Sequence, residues 1–157
     1  MFTRVSFAML VLVGCVAPRQ PAPVVAADPL KIHRLEWKRS HPQSYAFTYR
    51  DQCFCAGSFL WVRITVVADR VLHAELMPAQ DPNVRKSSEF RRPTVDSLFT
   101  WIADAYARRS DRINVQYDPK FHFPAHAAID WRANMIDDEF SFDVQDFTPI
   151  ASDSARR

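Results

Sequence analysis

The chain has 157 residues, with 20 Lys and Arg set against 18 Asp and Glu, and 48% of it is hydrophobic. That balance, with no basic stripe or block of like charge, gives no footing for a nucleic-acid partner. Glycine occurs only at Gly14 and Gly57, too sparse for a phosphate-cradling loop or a dinucleotide fingerprint, and no G-x-S-x-G elbow is present, so nucleotide enzymes and α/β-hydrolases are excluded.

The opening residues, MFTRVSFAMLVLVGC, put one cation, Arg4, ahead of an apolar run from Val5 to Val13. This is the order of a secretory signal, and the run falls short of the roughly 20 residues that span a bilayer. Its end, Leu12-Val13-Gly14-Cys15, resembles the lipobox of bacterial lipoproteins, in which the signal is cut before the cysteine and the thiol is acylated. The resemblance implies a signal peptide over residues 1–14, lipidation at Cys15 and attachment to a membrane through the lipid. It places the protein in the cell envelope. Where the envelope has two membranes, Val16 in place of an aspartate after the cysteine points to the outer one, facing the periplasm. The bland alternative is an ordinary cleaved signal with Cys15 a bystander. Acyl chains contribute about 0.8 kcal/mol per buried CH₂, so several of them anchor a protein stably. From Val16 to Pro29 there are four prolines and no aromatic residue, so residues 15–29 read as the acylated cysteine and an extended tether. Residues 148–157 read as a disordered tail. What remains, 30–147, is one domain, long enough to bury about two-thirds of its surface without a staple.

Leu30 to His41 has Leu30, His33 or Arg34, and Trp37 near helical spacing and ends before Pro42, which predicts a short helix. From Ser44 the period becomes two, with Tyr45, Phe47 and Tyr49 on one face and Ala46, Thr48 and Arg50 on the other. Leu60–Val67 sets Val62, Ile64 and Val66 against Trp61, Arg63 and Thr65, and Val71–Met77 follows Ala68-Asp69-Arg70 as the second arm of a hairpin. A polar loop from Pro78 to Pro93 leads to Thr94–Arg109, the strongest helical pattern. Thr94 suits the N-cap, Asp96 the first turn, and Val95, Leu98, Phe99, Ile102, Ala105 and Tyr106 form one stripe. Three strand faces follow: Ile113, Val115 and Tyr117; Ala127, Ile129 and Trp131; Phe140, Phe142 and Val144. The order α-βββ-α-βββ implies an α+β fold, an antiparallel sheet of about five to six strands covered on one face by one or two helices.

Cys53-Phe-Cys55, Thr94-Val-Asp-Ser-Leu-Phe99, Tyr117-Asp-Pro-Lys-Phe-His-Phe-Pro124, Ile129-Asp130 and Asp137-Asp-Glu139 together resemble a bacterial envelope lipoprotein family of unknown function, the DUF6174-type domain. The family pattern reads Y-D-P-x-x-G-[YF]-P, then I-x-I-D, then D-D-E-x-x-[YF]. Here His122 stands where glycine is usual, and Arg70 where a glycine is expected in the hairpin; a positive φ at either position would strain it. The resemblance implies fold and location and brings no activity.

Two constellations could carry chemistry. In an exported, oxidising compartment Cys53 and Cys55 have only each other once Cys15 is acylated. Residues i and i+2 of a regular strand lie about 6.6 Å apart at Cα, long for a disulfide, so pairing requires a bend, which Ala56-Gly57 would permit. Alternatively the two thiolates, with His73 and Met77, could hold a soft Cu(I) ion; the plain reading is two small buried residues. The second constellation is Asp118, Asp130, Asp137, Asp138 and Glu139, hard oxygens suited to a ligand such as Ca²⁺, set against their ordinary role in turns. His122 and His126 are separated by Pro124, so no helix aligns them, and no serine or cysteine has an evident base. No catalytic residue and no cofactor is expected. The sequence therefore points to a membrane-anchored envelope lipoprotein, a non-enzymatic binding or structural domain with an envelope protein as partner; the alternative is a metal-binding or redox-active protein acting through Cys53 and Cys55. If the lipobox reading holds, Cys15→Ala leaves an uncleaved or misplaced protein; processing and membrane fractionation identical to the wild type would refute it.

Overall fold

The computed structural model of the chain describes residues 28–55, 58–77 and 90–151. The expected signal peptide, Cys15, the tether up to residue 27, Ala56-Gly57, most of the polar loop and the tail after residue 151 lie outside them. The described elements are α1 (Pro29–Ser40), β1 (Ser44–Gln52), β2 (Val62–Val67), β3 (Arg70–Leu76), α2 (Val95–Ala107), β4 (Arg112–Tyr117), β5 (Pro124–Asp130) and β6 (Glu139–Pro149). The α-βββ-α-βββ order is the predicted one. All six strands join one antiparallel sheet in the order β3-β2-β1-β6-β5-β4, so the first and last strands meet at its centre.

Both helices begin where local chemistry satisfies their free N–H groups. Asp28 Oδ1 accepts from the N–H of Leu30 at 3.1 Å, and Pro29 at the first position has no N–H to satisfy. For α2 the capping is reciprocal: the N–H of Ser97 donates to Thr94 Oγ1 at 3.2 Å, and the N–H of Thr94 donates to Ser97 Oγ at 3.3 Å. Val95, Leu98, Phe99, Ile102 and Ala105 are buried, as the stripe required. Tyr106 departs from it and is 51% exposed; in the last turn its hydroxyl keeps its hydration, which burial without a partner would forfeit.

Period-two alternation sorts the sheet faces. Phe47, Tyr49, Val62, Ile64, Val66, Ala127, Ile129, Phe140 and Phe142 turn to the helix side and are buried. Trp37 of α1 is fully buried, with its ring edge-on to Tyr45 at 5.5 Å and to Phe147 at 5.9 Å. Trp131 lies one residue past β5, half-buried. The opposite face carries a polar chain: Arg50 bonds Asp143 at 2.8 Å and lies 4.4 Å over the Trp61 ring, while Asp143 also meets His126 Nδ1 at 2.8 Å.

One boundary moved. β6 runs through Pro149, and the N–H of Ile150 donates to the Ser44 carbonyl at 2.8 Å, so the expected tail begins inside the sheet. Strand pairing needs backbone groups, not apolar side chains, which is why composition missed it. The register between β1 and β6 shifts at Ala46 and Thr48, and Asp146 there takes φ 52°. This bulge returns Phe147 to the helix side, where it lies 4.7 Å from Phe123 and 5.3 Å from Tyr45.

The two glycine substitutions resolve differently. In the β2–β3 hairpin the positive φ values fall on Ala68 (46°) and Asp69 (60°), so Arg70 opens β3 without strain. His122 does take φ 63°. It closes a turn in which Asp118 Oδ1 accepts from Lys120 N–H at 2.9 Å and Phe121 N–H at 2.7 Å. Its Nδ1 lies 3.2 Å from His33 Nδ1, and His33 stacks on Tyr117 at 4.0 Å. Burial, and then the adjacent His122, hold the His33 pKa below 6.5. A histidine pKa lowered by folding means stability that is present above the unfolded value and lost as pH falls below it. His122→Gly removes a left-handed penalty of roughly 1–2 kcal/mol and one hydrogen bond of about 0.5–1.5 kcal/mol. At a pH of about 7.5 these nearly cancel; at a pH of about 5, where His122 adds to the burial that disfavours protonated His33, the variant should be stabilised relative to the wild type. Urea titrations at the two pH values test this, and a gain no larger at acid pH would refute it.

Candidate functional site

β1 leaves the sheet at Gln52, and the chain folds back within a few residues. The N–H of Cys53 donates to Ser58 Oγ at 2.9 Å, and the N–H of Phe59 donates to the Asp51 carbonyl at 2.7 Å, with Phe59 at φ 67°. The bend brings the sulfurs of Cys53 and Cys55 within bonding distance, with their Cα atoms 5.2 Å apart. Phe54 between them is thrust outward and is 88% exposed.

Around this bend lies a cavity of about 330 Å³. α2 contributes Trp101 and Asp104 to it, and its C-cap Arg108; the segment after β5 contributes Trp131, Asp137 and Asp138; β6 begins there with Glu139 and Phe140; and Arg91 enters from the approach to α2. The Ala133 N–H bonded to Asp111 Oδ2 at 2.7 Å helps hold the segment after β5. A second cavity, of about 670 Å³, shares Cys53, Phe54, Asp137 and Glu139 and extends to Arg112, Asn114 and Asp130. Ring faces in the first cavity already attract cations: the Arg91 guanidinium lies 5.0 Å over Phe140 and 5.6 Å over Trp101, and that of Arg108 lies 5.5 Å over Trp131.

Behind Arg91 is a buried carboxylate. Asp51 is 3% exposed, accepts from the Tyr49 hydroxyl at 3.3 Å and meets Arg91 Nε at 3.4 Å. Burial pushes the Asp51 pKa up from its usual 3.8, while Arg91 and the Tyr49 hydrogen bond pull it back. The Tyr49 pKa is driven up by burial and by the charge of Asp51. On the outer face of the sheet the balance is opposite: burial raises the Asp143 pKa, but hydrogen bonds from Arg50 and His126 outweigh it and hold the carboxyl below its usual value.

The structure gathers only part of each expected set. Cys53 and Cys55 are together. His73 is not with them: it lies opposite Thr65, and Thr65 opposite Ala46. Seven residues along a strand separate Ala46 from Cys53, about 23 Å. His73 instead lies 3.5 Å from Glu75, and Met77 donates its N–H to the Trp61 carbonyl at 2.9 Å. The proposed copper set is therefore dispersed. Asp130, Asp137, Asp138 and Glu139 do converge on the two cavities, whereas Asp118 closes the β4–β5 turn at the other end of the sheet. Among the described residues no group of three or more His, Cys, Asp or Glu is placed to hold a metal ion. Sequence reading missed Arg91, Trp101, Arg108 and Asp51. Asp51 had a signal, since it continues the inward series Tyr45, Phe47, Tyr49. The His126–Asp143–Arg50 chain had none, because only the strand register brings those residues together.

The family described as a family of unknown function (DUF6174) matches residues 29–149. No curated protein and no solved structure matches the chain. No helix among the described residues is long and apolar enough to cross a membrane.

A carboxylate pKa raised by folding costs stability as pH rises through it, and removing Arg91 raises it further. Arg91→Ala should therefore destabilise by about 1–3 kcal/mol at a pH of about 7.5, moderated because the half-exposed guanidinium is screened. At a pH of about 4 the loss should shrink. Equal losses in urea titrations at both pH values would overturn the assignment of Asp51 as the group that Arg91 supports.

Proposed function

The chain belongs to this family of unknown function, and from that premise we propose that it is a lipid-anchored envelope protein whose domain binds a partner, without catalysis, at the end of the sheet around Cys53. One observation carries the reading. Cys53, paired with Cys55, meets Asp130 and Asp137 to Glu139, from separate stretches that mark the family resemblance, around two adjoining cavities. A set of residues distant in sequence and gathered about a concavity is the usual form of a binding site. Two further features support it. Phe54, in the lining of both cavities, and Ile136, next in sequence to the lining residue Asp137, are each 88% exposed, a placement that solvent does not favour. α1, which follows the tether, packs over the opposite end of the sheet, against Tyr45, Tyr117 and Phe147. A chain anchored through Cys15 would then present the Cys53 end away from the membrane.

In this reading Cys53 and Cys55 form a disulfide in the exported protein and pin the turn that carries Phe54. The redox or metal alternative rests on the same two sulfurs, and labelling of the denatured, unreduced protein separates the two. No reactive thiol from this pair is expected; two per chain would transfer the assignment to the alternative. The binding claim is tested by placing the photo-crosslinking residue p-benzoylphenylalanine at Phe54 or, as a control, at the likewise exposed Leu72 on the edge strand β3, in the native envelope. A discrete adduct from position 54 only, lost in Trp101→Leu, is the expected result. Identical patterns from both positions would sink the reading.

A further inference from the structure

We propose that the occupant of the Cys53 end is a basic peptide segment of a protein partner, whose arginine or lysine side chain enters the cavity lined by Trp101 and Trp131; this rests on the binding reading above. Charge is the first argument. Four carboxylates line the cavity, Asp104, Asp137, Asp138 and Glu139, against two guanidiniums, Arg91 and Arg108. Arg91 is also engaged from behind by buried Asp51. An acidic ligand would bring its charge into this excess of carboxylates, whereas a cation is drawn in from a distance.

The walls supply the second argument. Indole and phenyl faces at Trp101, Trp131 and Phe140 attract cations through their quadrupoles, and the chain's own arginines already lie over all three rings. An entering guanidinium or ammonium meets the same attraction and packs beside the Arg91 and Arg108 side chains, of which Arg91 is half-exposed and Arg108 exposed. Size and rim point to a polypeptide rather than a free amine. A cavity of about 330 Å³ accepts one long side chain, and the adjoining space of about 670 Å³ accepts a neighbouring residue. Phe54 and Ile136 extend the contact with apolar surface, which only a chain with flanking side chains can cover.

The test measures binding of acetylated, amidated, fluorescently labelled hexapeptides with a central Leu-Arg-Phe, Leu-Lys-Phe, Leu-Gln-Phe or Leu-Glu-Phe to the purified full-length protein by anisotropy. The arginine and lysine peptides should bind at least tenfold more tightly than the glutamate one. That advantage should shrink with added salt, and it should fall at least tenfold in Asp137→Asn/Glu139→Gln, while circular dichroism shows the fold intact. Trp131→Leu should weaken all the basic peptides without altering the salt dependence. Arginine and lysine peptides that bind no more tightly than the glutamine and glutamate ones, or no binding of any, would overturn the basic-segment assignment. Competition by spermidine at the same affinity would overturn the peptide source and leave a small-amine site. If the basic peptides fail while position 54 still cross-links a partner, the chemistry is wrong and the binding reading stands; failure of both removes the reading itself.

Discussion

The ladder between β1 and β6 is the constraint on which the rest of the domain depends. It pairs residues from Tyr45 with Pro149 to Gln52 with Ser141, joining chain segments that lie almost the whole domain apart. Closing so long a loop costs chain entropy before any contact returns it, and the cost rises only slowly with further length. What offsets it is burial on one face and hydrogen bonding on the other. Phe47, Tyr49 and Phe142 are fully or nearly fully withdrawn from water on the helix side. Across the outer side Arg50 reaches Asp143, which is held in turn against His126 of β5. Three central strands are thus tied together twice, once by apolar packing and once by a charge-assisted chain.

The same ladder makes the two ends of the sheet unequal. At one end the bulge at Asp146 turns Phe147 into a cluster with Trp37, Tyr45 and Phe123, and α1 closes over it. At the other end β1 breaks off into the Cys53–Cys55 bend, and the approach to β6 runs through exposed residues 132–137. Among the described residues the C-terminal half of α2 is the only helical segment that reaches that end, and cavities remain between it and the loops. The binding reading follows from this asymmetry. A closed aromatic end gives rigidity, and an open end framed by short, hydrogen-bonded turns presents charge and ring faces in fixed positions.

Asp51 shows how the closed interior and the open site are coupled. It occupies an inward position of a strand whose preceding inward residues are all aromatic, where a lone carboxylate would be costly. The Tyr49 hydroxyl and the Arg91 guanidinium make it tolerable, and in doing so they fix Arg91 against Phe140 and Trp101 at the cavity wall. A buried acid thus positions a surface base. A change at Asp51 would be felt both in stability and in the shape of the site.

By itself the sequence determined the elements and the side chains they bury. Period two placed Val62, Ile64 and Val66 inward, period 3.6 placed Leu98, Phe99 and Ile102 inward, and Thr94 marked where α2 begins, because these are local preferences that a few residues decide. The family resemblance, not a local pattern, marked His122 as a position where glycine is usual, and there the backbone takes a positive φ. The sequence also contained half of the site, the Cys53–Cys55 bend and the acidic run Asp137 to Glu139, since those residues are neighbours along the chain. Only the tertiary structure decided that β1 meets β6, that β6 continues to Pro149, that His73 lies far from the cysteines, and that Trp101, Arg91 and Arg108 line one cavity with Glu139. Each of these is a matter of strand order and register, set by long-range closure against burial, and no local pattern encodes which distant strand becomes the neighbour.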